Sequence, residues 1–249
     1  MKKTIKFLAG ATAIFALFLF TGCEGPEGQD GDESCKECHS IENMSLKSAQ
    51  YEVSQHGAGE FVDYAGGRLG CAACHSHEGF VETQRTGRDT TAANVPIPTR
   101  IDCETCHSGH KTFDSEKPDF ALRTSATVAL RLDKNLTIDL GNSSNLCVNC
   151  HQPRANAPKA DDKGEFKITS SRFGPHHGPQ GTLLQGVGAY EGSGAAAYPA
   201  KGSSTHVSGG ACVTCHMGDK ENAEGGHSFN PTVAACTECH TDAKSFDVN

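Results

Sequence analysis

The chain has 249 residues, of which 36% are hydrophobic and 6% aromatic, with 28 glycines and no tryptophan. That is a thin supply for a side-chain core, so burial has to be completed by something large and apolar that is not a side chain. The formal net charge is −8, and it becomes −11 once Lys2, Lys3 and Lys6 leave with an N-terminal leader. Nucleic acid is excluded as a partner on this ground, because phosphate binding depends on Lys and Arg.

In chain order, residues 1–22 read as a signal peptide: a basic start, an apolar run from Phe7 to Phe20, and small residues before a cysteine. The run is shorter than the ~20 residues a membrane-spanning helix needs. Leu19-Phe20-Thr21-Gly22-Cys23 resembles the cleavage box of bacterial lipoproteins, which makes Cys23 the expected lipidation site and the membrane anchor. Residues 23–34 then form an acidic tether, and from Gly22 just before it the glycines recur every third residue at Gly25, Gly28 and Gly31. So few triplets cannot sustain a triple helix, and a flexible linker is the expectation.

From residue 35 to residue 249 a single domain is predicted. The stretch from about Ser45 to His56 is expected to form short helices. Val128-Ala129-Leu130-Arg131-Leu132 and Leu136-Thr137-Ile138-Asp139-Leu140 alternate apolar and polar residues around Asp133-Lys134-Asn135, the pattern of a β-hairpin. Gly178 to Gly210, rich in Gly, Ala and Ser, is predicted to be a long loop that presents His206.

The chemistry sits in a repeat. Cys35-Lys36-Glu37-Cys38-His39, Cys71-Ala72-Ala73-Cys74-His75, Cys103-Glu104-Thr105-Cys106-His107, Cys147-Val148-Asn149-Cys150-His151, Cys212-Val213-Thr214-Cys215-His216 and Cys236-Thr237-Glu238-Cys239-His240 all have the Cys-x-x-Cys-His form. Two thiols three residues apart reach the two vinyl groups of one porphyrin, and the adjacent histidine lies under its iron. Six haem c groups are therefore the predicted cofactors, and they supply the missing apolar bulk. Zinc ribbons also pair cysteines, but zinc does not require a histidine directly after each pair. With 13 histidines in 249 residues, six out of six by chance is on the order of one in ten to a hundred million. A disulfide scaffold, which export would permit, leaves the same histidines unexplained. The intervals between first cysteines are 36, 32, 44, 65 and 24 residues, too uneven for a solenoid of identical units.

With His39, His75, His107, His151, His216 and His240 used as proximal ligands, seven histidines remain: His56, His77, His110, His176, His177, His206 and His227. Seven candidates for six distal positions point to two imidazoles on every iron, an arrangement suited to electron transfer because it leaves no open position for substrate. His77 is the expected spare, since it lies two residues after His75 and cannot easily cross to the far face of the same haem. Met217, directly after His216, is expected to pack against porphyrin. An enzyme of the nitrite or hydroxylamine type would need an exchangeable iron, often marked by Cys-x-x-Cys-Lys, and no such motif occurs. The chain is accordingly predicted to be an electron carrier and not an enzyme.

Beyond the motifs, Cys71 to Phe80, Asn145 to Gln152, Gly174-Pro175-His176-His177-Gly178-Pro179-Gln180, and Cys212 to Met217 followed by Gly226-His227 resemble the extracellular multihaem c-type cytochromes of metal-reducing bacteria. The resemblance implies a mostly irregular chain, with short α-helices and a small β-hairpin, wrapped around a stacked haem chain. It also implies bis-histidine ligation and a role at the outer membrane or outside the cell, with other redox proteins or an extracellular acceptor as partners. His176 and His177 match that family's distal pair, and His227 matches the histidine that precedes its last haem. Some members polymerise, so a homopolymeric filament is the alternative to a tethered monomer.

Overall fold

A computed structural model describes residues 33–114, 116–154, 160–168, 179–188, 194, 196–218 and 225–246. The leader, Cys23, the tether before residue 33 and the His176-His177 turn lie outside these residues. The chain divides into two units, residues 1–44 and 45–249. The first contains α1 (Glu33–His39), which carries the first motif. Within it, Asn43 donates its side-chain amide to the Glu37 carbonyl. Helix α2 (Ile41–Glu52) begins there and runs past the division.

The second unit is built from short pieces. After α2 come α3 (Gln55–Ala58), a π-helical turn over Val62–Gly66, α4 (Ala72–His75), α5 (His77–Thr86) and α6 (Cys103–Cys106). A two-stranded sheet comes next, β1 (Val128–Ala129) with β2 (Thr137–Ile138), and then α7 (Ser144–Val148), α8 (Gln180–Gln185), α9 (Thr205–Ser208), α10 (Ala211–His216), a 3-10 turn over Gly226–Ser228 and α11 (Ala234–Thr237). Among the described residues no helix is long and apolar enough to cross a membrane.

The hairpin forms as the alternation predicts. Val128 pairs with Ile138 and Ala129 with Thr137 in antiparallel register. Leu136 donates its N–H to the Asp133 carbonyl at 2.9 Å, and the Asp133 carboxylate accepts from the Asn135 N–H at 2.9 Å. Val128, Leu130, Ile138 and Leu140 turn inward while Ala129, Thr137 and Asp139 stay exposed, the period of two that a half-buried strand requires. Serine caps shape two of the segments read from the sequence. The short helices expected from about Ser45 to His56 are present, the first ending at Glu52 and the second capped by Ser54, which accepts from the Gly57 N–H at 2.9 Å. The predicted loop from 178 to 210 contains α8 and α9, the latter capped by Ser204.

The main side-chain core joins Val128, Leu130, Ile138, Leu140, Val148, Val187 and Ala211. Val148 belongs to the fourth motif, and Cys212 of the fifth packs against the same cluster. Buried Asn145 ties α7 to the hairpin: its carbonyl accepts from the Leu140 N–H at 2.8 Å, and its amide donates to the Ser125 carbonyl and the Asp139 carboxylate, both at 3.0 Å. That hydrogen bond holds the Asp139 carboxyl below the usual carboxylate range, with further donation from the Gly141 N–H and the Thr127 hydroxyl. The hairpin is thus the platform on which two attachment motifs stand. Leu130 is fully buried, so Leu130→Ala is expected to destabilise the protein by about 2–5 kcal/mol. Denaturant unfolding of the haem-loaded protein should show the loss, and an unchanged midpoint would contradict this placement of the core.

Candidate haem sites

Each motif occupies about one helical turn, which brings its two cysteines to one side and its histidine to the end. The N–H of His107 donates to the Cys103 carbonyl at 2.8 Å, that of His151 to Cys147 at 2.9 Å, and that of His240 to Cys236 at 2.8 Å. Asp102 caps α6 by accepting from the Thr105 N–H at 2.8 Å, while the Thr105 hydroxyl accepts from the Asp102 N–H at 2.9 Å. All twelve motif cysteines are free thiols. Unpaired thiols suit covalent attachment to a cofactor.

The histidines supply the sharper test of whether haem fits. His56 stands opposite His151, His227 opposite His107, and His206 opposite His240, each pair with ring centroids 6.2 Å apart. A metal–imidazole bond is about 2.0 Å and the ligating nitrogen lies about 1.1 Å from its ring centre, so two imidazoles on opposite sides of one iron have centroids about 6.2 Å apart. Every pair joins one motif histidine to one histidine from outside the motifs. The residues present therefore fit the group that the motifs call for.

Local structure explains how the outside histidines are aimed. His56 lies on α3, between the Ser54 cap and Gly59, whose left-handed φ of 62° ends the helix. Gly57 has no alternative, since a Cβ there would sit 2.2 Å from the Tyr51 carbonyl oxygen. Arg100 clamps this corner by donating to Glu52 at 2.7 Å and to the Gly57 carbonyl. Burial, and then the nearby His151, hold His56 down to about 4. Burial, and then His107 and Lys47, do the same for His227. Both imidazoles are thus neutral at pH 7, and a neutral ring keeps the lone pair that a metal takes.

His77 has a different environment. Ser76 lies extended between α4 and α5 and caps α5, accepting from the Gly79 N–H at 3.2 Å, which separates His77 from His75. The Nδ1 of His77 is 2.9 Å from the Thr105 hydroxyl and 3.0 Å from the Asp102 carboxylate, both next to or within the third motif. His110 places its Nδ1 2.7 Å from the Asp119 carboxylate. That carboxyl is held far below its usual range by the N–H groups of Ala121 and Lys111 and by His110. His176, His177 and Cys23 fall outside the described residues. Met217 is half-buried at the end of α10.

The motifs also touch one another. The Cys150 thiol faces the Ala73 carbonyl at 3.8 Å, and Gln84 donates to the Asn149 side chain at 3.0 Å, which joins the second motif's region to the fourth. The Val213 N–H donates to the Ser144 hydroxyl at 3.1 Å, which joins the fourth to the fifth. The thiols of Cys74 and Cys150 lie close enough to perturb each other, as do those of Cys147 and Cys212. One thiol of each pair, Cys74 and Cys212, is thereby eased toward the thiolate while its partner is pushed up. Attachment points belonging to different motifs are thus direct neighbours.

Residues 28–119 match the family model for cytochrome c3. The matched stretch covers three of the six motifs and under half of the chain. With the motif series it supports a multihaem c-type cytochrome, binding haem c and transferring electrons. The mostly irregular chain, short helices and small two-stranded sheet are consistent with a cytochrome c3-like domain. No curated protein and no solved structure gives a match.

Sequence reasoning missed one set of contacts to the ligands. The Nδ1 of His107 lies 2.8 Å from the Phe120 carbonyl oxygen, and the Nδ1 of His216 lies 2.9 Å from that of Phe229. The signal was available in a longer repeat: Cys103 to Lys111 and Cys212 to Lys220 share Cys-x-Thr-Cys-His-x-Gly-x-Lys, and each histidine is followed by a phenylalanine thirteen residues on.

The packing of the second motif has a direct consequence. A Cβ on Gly79 would lie 2.3 Å from the Ala72 carbonyl carbon and oxygen, so Gly79→Ala has to force α4 and α5 apart, at a cost of about 1–3 kcal/mol. The unfolding midpoint should fall accordingly, and a variant as stable as the parent would contradict this packing.

Proposed function

We propose that this cytochrome carries electrons through six covalently attached haems, each held between two imidazoles, at a cell surface to which a lipid on Cys23 tethers it. The three histidine pairs with centroids 6.2 Å apart are the observation that carries this reading. In each pair the motif histidine is the proximal ligand and His56, His227 or His206 is the distal one. His110, His176 and His177 are the distal ligands assigned to the remaining sites, and His77 is left over.

Bound haem supplies reversible one-electron iron chemistry. The chain supplies everything else. Two neutral imidazoles on an iron leave it no position for a substrate, which favours a carrier over a reductase. Contacts between motifs bring the attachment points of different haems together, as stepwise electron movement along a stacked haem chain requires. The leader, the lipoprotein-like box and the acidic tether favour an outer-membrane or extracellular setting, with a redox protein on one side and an extracellular acceptor or second cytochrome on the other.

Intact mass of the mature protein should correspond to six haems, and electron paramagnetic resonance should find them all low-spin. His56→Ala, His227→Ala and His206→Ala should each turn about one sixth of the haem high-spin, whereas His77→Asn should turn none. Carbon monoxide should bind the reduced parent protein negligibly. Substantial carbon monoxide binding, or spectra unmoved by the three alanine variants, would contradict the proposal.

A further inference from the structure

The contact between a proximal histidine and a phenylalanine carbonyl occurs twice, with the same spacing and the same unusual backbone. Phe120 has φ 51° and Phe229 has φ 57°, both in the left-handed region. Residues with side chains rarely occupy it, and each that does costs of order 1–3 kcal/mol, persisting only where the surroundings over-determine it.

The surroundings do so here. Around Phe120, the Asp119 carboxylate accepts from the N–H groups of Ala121 at 2.9 Å and Thr112 at 3.0 Å and from His110. The Arg123 N–H donates to the Cys106 carbonyl at 2.8 Å, and its guanidinium donates to the Thr105 carbonyl at 3.1 Å and the His107 carbonyl at 3.2 Å. Around Phe229, the Gly226 N–H donates to the Gly218 carbonyl at 3.0 Å and the Ser228 hydroxyl to the Gly225 carbonyl at 2.7 Å. Two loops of unlike sequence hold the same strained residue at the same distance from a motif histidine. What the two places share is the carbonyl and its acceptor role toward Nδ1.

We infer that Phe120 and Phe229 are positioning residues for the third and fifth haem sites, each held in the left-handed conformation so that its carbonyl accepts the Nδ1–H of the proximal histidine. A carbonyl can only accept, so the bond fixes the proton on Nδ1 and leaves the Nε2 lone pair for the iron. It also makes the imidazole a stronger donor. A stronger donor favours the oxidised iron, so these two sites are set to lower potential than they would have without the bond. The inference rests on the haem reading above, and it adds which residues tune which sites.

Phe120 gives the cleaner test, because the Phe229 ring also packs edge-on against His56 and His227, with centroids 4.9 and 5.9 Å apart. The Phe120 side chain is 57% exposed. Phe120→Val places a β-branched residue where φ must be positive, so the peptide should leave that region and the bond should be lost. Phe120→Gly keeps the conformation without strain and should keep the bond. In spectroelectrochemical titration of the haem-loaded proteins, about one sixth of the absorbance change should move to higher potential in the valine variant. The glycine variant should overlay the parent.

A valine variant that overlays the parent, or a glycine variant that shifts as the valine variant does, would overturn the inference. If the valine variant does not load six haems, proton exchange in the parent decides. The Nδ1–H protons of His107 and His216 should exchange slowly with deuterium, and immediate exchange of both would overturn the inference. Absence of haem from the parent protein would instead sink the haem reading itself.

Discussion

Histidines far apart in sequence meet in pairs, and most of the architecture can be understood as serving those meetings. His56 precedes the second motif yet faces His151 of the fourth, and His227 precedes the sixth yet faces His107 of the third. An iron between two such rings would tie these distant segments together. Each tie closes a long loop, and loop-closing links of this kind remove entropy from the unfolded chain. A metal bond can therefore do in this chain what a large side-chain core does elsewhere.

That division of labour explains the economy of the polypeptide. The main apolar cluster is small and centres on one hairpin, and few of the helices exceed two turns. Short helices are not stable alone, because nucleation is costly and few hydrogen bonds repay it. They persist here through caps such as Ser54, Ser76, Asp102 and Ser204, and through close backbone approaches at Gly57 and Gly79.

The sites were more legible in the sequence than the path of the chain. Cys-x-x-Cys-His is a local pattern whose chemistry is fixed by spacing, so attachment and proximal ligation are assigned from the sequence alone. The hairpin was legible because alternation reports burial on one face. Pairing of His56 with His151 was not, because no local rule says which distant loop returns to which motif. The helix at Thr205–Ser208 was hidden for a related reason, since a serine such as Ser204 serves as a loop residue or as a helix cap according to the backbone of the next three residues. The carbonyls of Phe120 and Phe229 escaped notice because a backbone atom leaves no mark on the residue type, although the extended repeat around Cys103 and Cys212 does.

Crystals of the haem-loaded protein, with anomalous diffraction collected at the iron edge, offer the most direct test of the central claim. Six iron peaks are expected, three of them midway between His56 and His151, between His107 and His227, and between His206 and His240. Fewer peaks, or irons at those three motifs with other groups opposite the proximal histidine, would contradict it.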